Sequence, residues 1–161
     1  MFKKLLTTRS LCVSAVIAAL YAALTYFLAP ISYGSIQCRV SEAFTLLPML
    51  LPQAIPGLFA GCLIANLFSP MVTIWDIVFG SLATLVAAIG TYRLRSRPIL
   101  AACCPVVANG LIVGSVLSLT LNLPLALTMV EVALGEIGAV AIGFALLSAL
   151  KKTRVDLSKL V

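Results

Sequence analysis

Between Arg9 and Arg93 the chain carries one basic residue, Arg39, and it places that residue beside Gln37, Ser41 and Glu42. Every other basic residue falls in one of three clusters: Lys3, Lys4 and Arg9; Arg93, Arg95 and Arg97; Lys151, Lys152, Arg154 and Lys159. The clusters bracket long apolar runs. Only 10% of the residues are charged, against about 25% in a soluble domain. Too few polar groups remain to cover a water-facing surface, so the chain reads as an all-α integral membrane protein. Its 161 residues accommodate a single bundle of about six transmembrane helices at about 20 residues each, with no room for a soluble catalytic domain.

The net charge of +6 could signal nucleic acid, but its clustering at the ends of apolar runs is the positive-inside pattern. That pattern places both termini and the Arg93–Pro98 loop in the cytoplasm. The basic start, Met1 to Arg9, resembles that of a signal peptide. No small-residue cleavage site followed by a polar chain appears, so an uncleaved first span is expected.

Spans are expected at about 10–29, 38–52, 55–68, 72–92, 99–121 and 125–150. Pro48 and Pro52 make the second short or irregular. Small residues recur every four positions in three spans: Ala15, Ala19 and Ala23, flanked by Ala18 and Ala22; Gly57, Gly61 and Ala65; Gly135, Ala139 and Gly143. Such stripes let another helix approach closely. For the first of them, packing inside the bundle and docking of a partner protein fit the spacing equally well.

Against this apolar background the ionisable residues stand out. Arg39, Glu42, Asp76, Glu131 and Glu136 all fall in the outer halves of the expected spans, and Asn109 lies near mid-membrane. Polar groups in lipid are costly and face a partner, a cavity or a ligand, so their one-sided placement predicts a site open to the outside. Arg39 and Glu42, three apart, share one helix face. Glu131 and Glu136 lie about 140° apart round a helix, so one of them is expected to face a common cavity squarely. Acids outnumber bases there, which suits a cationic ligand rich in hydrogen-bond donors. Trp75, Tyr33 and Phe44 could offer it an aromatic face. Trp75 also fits an interfacial anchor, and Asp76 a helix N-terminal acid.

Several chemistries are disfavoured. The chain has no histidine, and its five cysteines include no C-x-x-C pair, so no metal, disulfide framework or cofactor is expected and the cysteines read as small apolar fillers. It lacks a G-x-x-x-x-G-K-[ST] loop and therefore a P-loop for ATP. No recognisable nucleophile–base pair supports a membrane enzyme.

The stretch Tyr33-Gly-Ser-Ile-Gln-Cys-Arg-Val-Ser-Glu42, followed by Thr45-Leu-Leu-Pro48, resembles the signature of the QueT family. So do residues 57–66, 75–84 and 107–110. The resemblance implies the substrate-binding S component of an energy-coupling factor (ECF) transporter: a multi-pass subunit of the bacterial plasma membrane that binds a queuosine precursor, with preQ1 (7-aminomethyl-7-deazaguanine) first among the candidates. Its partners would be a transmembrane coupling protein and two cytoplasmic ATPases. The resemblance also implies that a small-residue stripe in the first helix, here Ala15, Ala19 and Ala23 or Ala18 and Ala22, contacts the coupling protein. Glu42 and Glu131 would then take the ligand's ring edge and its ammonium, in either order. Arg39 would orient Glu42 or bond the ring carbonyl, Asn109 or Gln37 would complement that carbonyl and the amides, and Asp76 and Glu136 would stand in reserve. The competing readings are a stand-alone channel or carrier, and an S component for another vitamin-like ligand.

Overall fold

The computed structural model describes residues 7–32, 39–68 and 73–152, and among these there is no strand. Helix α1 spans Thr8–Phe27 and a short α2 spans Ala29–Ser32. A 3₁₀ helix follows at Val40–Met49, then α3 at Ala54–Leu67. A π-helical turn at Asp76–Gly80 runs into α4 at Ser81–Arg93. Helices α5, Pro98–Leu121, and α6, Leu125–Lys152, complete the fold.

Local chemistry accounts for the boundaries. The Thr7 hydroxyl accepts the Ser10 N–H at 3.3 Å and caps α1. Pro98 opens α5 where a backbone N–H is not needed. Asn122 closes α5 in the left-handed conformation, φ 54°, a position that asparagine tolerates. The second expected span is the main departure from a regular bundle. With Pro48 inside it, it winds as ten residues of 3₁₀ helix, about 20 Å long, too short to cross about 30 Å of hydrocarbon on its own.

Three described helices are long and apolar enough to cross a membrane: Thr8–Phe27, Pro98–Leu121 and Leu125–Leu150. Helix α3 is apolar but shorter. Burial runs inside-out relative to a water-soluble bundle. Helix α1 buries Ser10, Ser14, Tyr21 and Thr25 while exposing Leu11, Val16, Leu20 and Phe27. Exposed Ile99, Leu119 and Leu134 continue the apolar exterior on α5 and α6. A hydrocarbon solvent tolerates that surface and drives the polar groups inward.

With no hydrophobic drive between helices in lipid, close packing of small residues holds the elements together. A Cβ added at Gly57 would lie 2.6 Å from the Ser14 carbonyl oxygen of α1. One added at Gly61 would lie 2.8 Å from Tyr21 Cβ and 2.9 Å from the Ala18 carbonyl oxygen. On α6, Gly143 meets the Ala43 carbonyl oxygen of the 3₁₀ helix in the same way, at 2.6 Å. The α1 alanines divide accordingly. Ala18 is buried against α3 and Ala22 is half-buried, whereas Ala15, Ala19 and Ala23 are exposed on the outer face.

Replacing Gly61 with Ala should lower stability by about 1–3 kcal/mol, because the obstacles are backbone and Cβ atoms that cannot turn aside. Gly90→Ala should cost less, since its nearest neighbour at 2.9 Å is the rotatable Cys104 Sγ. Thermal unfolding of the two variants in one detergent measures the difference.

Candidate functional site

The 3₁₀ helix builds one wall of the site. Its winding eclipses side chains three residues apart, so Glu42 and Thr45 share a row, and Arg39 stands in extended conformation at the cap just before it; all three are buried. Thr45 donates its hydroxyl hydrogen to the Glu42 carbonyl oxygen. Glu42 then reaches across to two other helices. Its Oε1 accepts the hydroxyl hydrogen of Tyr21 from α1 and that of Thr84 from α4 at 3.0 Å. One turn further along α1, the Thr25 and Ser41 hydroxyls meet at 2.7 Å. Helix α1, the 3₁₀ helix and α4 are thus tied at one carboxylate oxygen.

The opposite wall comes from α5 and α6. Asn109 and Val113, four apart, and Val132 and Glu136, four apart, each share a helix face. Together with Arg39 and Glu42 they line one cavity of about 10 Å³, room for about one water. On Glu42, Glu136 and Asn109 a buried polar atom, Oε2, Oε1 and Nδ2 respectively, takes no hydrogen bond among the described residues. Two acceptors and a donor therefore stand around one small space. Buried polar groups are normally bonded to protein, to ordered water or to a ligand, so these atoms face a space that a water or a bound group would fill.

Residues expected from the sequence to form a site distribute unevenly. Arg39, Glu42, Asn109 and Glu136 come together. Glu131, expected to supply the second carboxylate, is half-buried and does not line the cavity. The inward face of α6 runs through Thr128, Val132, Glu136 and Ala139, and Glu131 falls on its flank. Of the two acids on α6, Glu136 is the one that lines the cavity. Asp76 is occupied locally. Its Oδ2 accepts the Thr73 N–H at 3.0 Å and the Thr73 hydroxyl at 2.7 Å, while Thr73 Oγ1 faces the Asp76 N–H at 3.4 Å. This is a capping box that opens the helix. With Asp76 turned inward, Trp75 projects outward, 58% exposed, and stacks on Phe79 at 6.0 Å, so it offers the cavity no aromatic face. Phe44 packs against the apolar core. Gln37 and Tyr33 lie outside the described residues.

The sequence reading passed over Tyr21 and Thr84. The available signal was a tyrosine in the middle of an apolar span, where a phenolic hydroxyl needs a partner. Cys62 is also more than an apolar filler. Its Sγ lies 3.3 Å from Thr84 Oγ1 and faces the donors Asn66 Nδ2 at 3.6 Å and Arg39 Nη1 at 3.9 Å. Among the described residues, no group of three His, Cys, Asp or Glu side chains could hold a metal ion.

Comparison with known proteins complements the geometry. A model of the QueT transporter family matches residues 11–152. A relative from Lactococcus lactis subsp. cremoris (strain MG1363), described as queuosine precursor transporter QueT, is 42% identical over 74 residues. The match covers 45% of this chain and 43% of the relative, so it spans under half of that relative's length. No solved structure matches.

Asp76→Ala should cost about 1 kcal/mol through the lost cap and leave the cavity's polar atoms where they are. Thermal unfolding in detergent reads the first effect, and unchanged ligand affinity reads the second.

Proposed function

The chain belongs to the QueT transporter family, and on that premise we propose that it is the substrate-capturing subunit of an ATP-driven ECF importer, binding a queuosine precursor from outside the cell. PreQ1 is the proposed ligand. The observation that carries this reading is the trio of unbonded polar atoms, Glu42 Oε2, Glu136 Oε1 and Asn109 Nδ2, on residues around one buried cavity. A ligand that satisfies them brings two donors and one acceptor. PreQ1 has this set: a ring edge of adjacent N–H groups, an ammonium arm and a ring carbonyl. Two buried carboxylates facing one arginine favour a cation over an anion. At about 10 Å³ the cavity is far smaller than a two-ring base, so capture requires its walls to part and close again around the ligand.

Under this proposal the chain forms a six-span bundle of the plasma membrane with both termini in the cytoplasm. The site elements support that topology. Tyr21 and Thr25 lie in the second half of α1, Cys62 and Asn66 in the second half of α3, and Thr84 near the start of α4. All of these lie at helix ends remote from the basic clusters, the side opposite the cytoplasm by the charge rule. The fuel would come from partner ATPases. The exposed row Ala15, Ala19 and Ala23 is the proposed contact with the transmembrane coupling protein, because small residues leave a backbone open to close approach.

Calorimetric titration of the purified protein with preQ1, guanine and the nitrile precursor preQ0 tests the ligand. PreQ1 should bind tightest. Glu136→Gln should weaken it at least about tenfold, the scale of a lost charge-assisted bond, and Glu131→Gln should leave it within about threefold. Binding of none of the three would favour a stand-alone carrier or channel. Ala19→Leu should cut cellular uptake by about tenfold or more, by blocking close helix approach, while leaving detergent-phase affinity unchanged. Equal loss of both would remove the docking role.

A further inference from the structure

The two cavity carboxylates are held in different ways. Glu42 Oε1 accepts from both Tyr21 and Thr84, and Glu42 Oε2 takes no hydrogen bond among the described residues. The carboxylate plane is thereby fixed by hydroxyls from two separate helices, with one oxygen left over. No tyrosine or threonine hydroxyl among the described residues donates to Glu136; the polar side chain set against it, as against Glu42, is Asn109. The backbone around these donors is itself held. Tyr21 Cβ lies against Gly61, while the Gly80 carbonyl oxygen, 3.2 Å from Thr84 Oγ1, is a second acceptor for the one hydroxyl hydrogen that Thr84 offers Glu42 at 3.0 Å. The Tyr21 ring cannot swing away without giving up that packing.

We propose that the two carboxylates have unequal duties. Glu42, one oxygen clamped by Tyr21 and Thr84, presents a single acceptor to the ligand's ammonium, while Glu136 accepts the paired N–H edge of the ring. The inference rests on the ligand reading above and assigns its two halves. The physical ground is geometric. A paired N–H edge needs two coplanar oxygens of one carboxylate free at once, and Glu42 has one of its two already taken. An ammonium is a compact point charge with rotatable donors that accepts one-point contacts. Tyr21 and Thr84 are positioning residues in this scheme, since they act through Glu42 and do not touch the ligand. Because they hold the ammonium's acceptor and not the ring's, they set the preference for the amine over the nitrile.

The test is a matrix of variants against two ligands, preQ1 and preQ0, which share the ring edge and differ in the ammonium. Glu136→Gln should weaken both at least about tenfold. Glu42→Gln should weaken preQ1 at least about tenfold and preQ0 less than about threefold. Tyr21→Phe and Thr84→Val should each lower preQ1 affinity by about threefold to tenfold and hold preQ0 within about twofold, as expected for removing one bond to the acceptor. A merely structural role would lower both ligands alike, and that outcome overturns the positioning assignment. The reverse pattern, with Glu42→Gln losing both ligands and Glu136→Gln only preQ1, overturns the division of duties. Wild-type protein that binds preQ0 as tightly as preQ1 overturns this inference while leaving the transport reading intact. Wild-type protein that binds neither removes both. Thr84→Val, close in volume to the native residue, carries the test should Tyr21→Phe fail to fold.

Discussion

Burying the Glu42 carboxylate is the constraint around which the rest of the structure is arranged. A carboxylate with almost no exposed surface, 1% here, is expensive unless donors surround it. The chain meets that demand by drawing Tyr21 from α1 and Thr84 from α4 onto one oxygen. Those two bonds decide where the helices must stand. Helix α1 comes close enough only because Gly57 and Gly61 on α3 leave room for its backbone. The 3₁₀ helix can seat against α6 because Gly143 leaves room for Ala43. In lipid, where helices gain little from hiding apolar surface, close contact and interhelical hydrogen bonds are the forces available. The small-residue stripes and the buried polar node are therefore two halves of one solution.

The helical class and the placement of the long helices were legible because they follow from quantities that add along a chain. Expected spans at 99–121 and 125–150 meet α5 and α6 almost at their ends, since uninterrupted apolar runs and clear breaks at Pro98 and Asn122 leave little choice. The 3₁₀ helix and the π turn were not legible in the same way. Pro48 signals that a regular α-helix is difficult but does not say which alternative the backbone takes. At Asp76–Gly80 no residue breaks the helix. There the backbone departs from α geometry directly behind the capping box of Thr73 and Asp76 and beside buried Asn66, whose Nδ2 reaches the Asp76 carbonyl oxygen at 3.3 Å. Contacts between distant residues select such local windings, and a linear pattern does not contain them.

At the site, Arg39 and Glu42 could be read as neighbours because they are three apart in an otherwise apolar stretch, although Arg39 stands as the extended cap residue and not within the helix. Choosing between Glu131 and Glu136 needed the rotation of α6, which is set by which of its faces meets Gly110, Gly114 and the 3₁₀ helix. That face is small and apolar around Glu136, so a chain scanned only for charge sees two equivalent acids. Trp75 and Asp76 stand out by residue type, and the structure gives both local contacts: an outward stack on Phe79 and a capping box with Thr73. Tyr21 and Thr84 escaped notice for the opposite reason. Neither is charged, and a lone hydroxyl in an apolar run is common enough to pass as helix packing.

Helix α1 shows why the site and the outer surface of this protein are not independent. Tyr21 sits two residues from both Ala19 and Ala23, about 200° round the helix from each. One face therefore holds Glu42 while the opposite face is an exposed row of alanines. Between them, Ala18 and Tyr21 lie against Gly61 at distances that leave no slack. A rigid rod pinned in this way cannot rotate its outer face without disturbing the Tyr21 hydroxyl, and Tyr21 cannot release Glu42 without disturbing the rod. Whatever opens the small cavity must therefore either keep α1 fixed and move α5 and α6, which contribute Asn109, Val113, Val132 and Glu136, or carry α1 and the 3₁₀ helix together as a unit. The two hydroxyl ties from α1, Tyr21 to Glu42 and Thr25 to Ser41, make the second element follow the first in either case. Among the described residues no hydroxyl ties α5 or α6 to Glu42; that wall meets the 3₁₀ helix by close packing, as where Gly143 lies under Ala43.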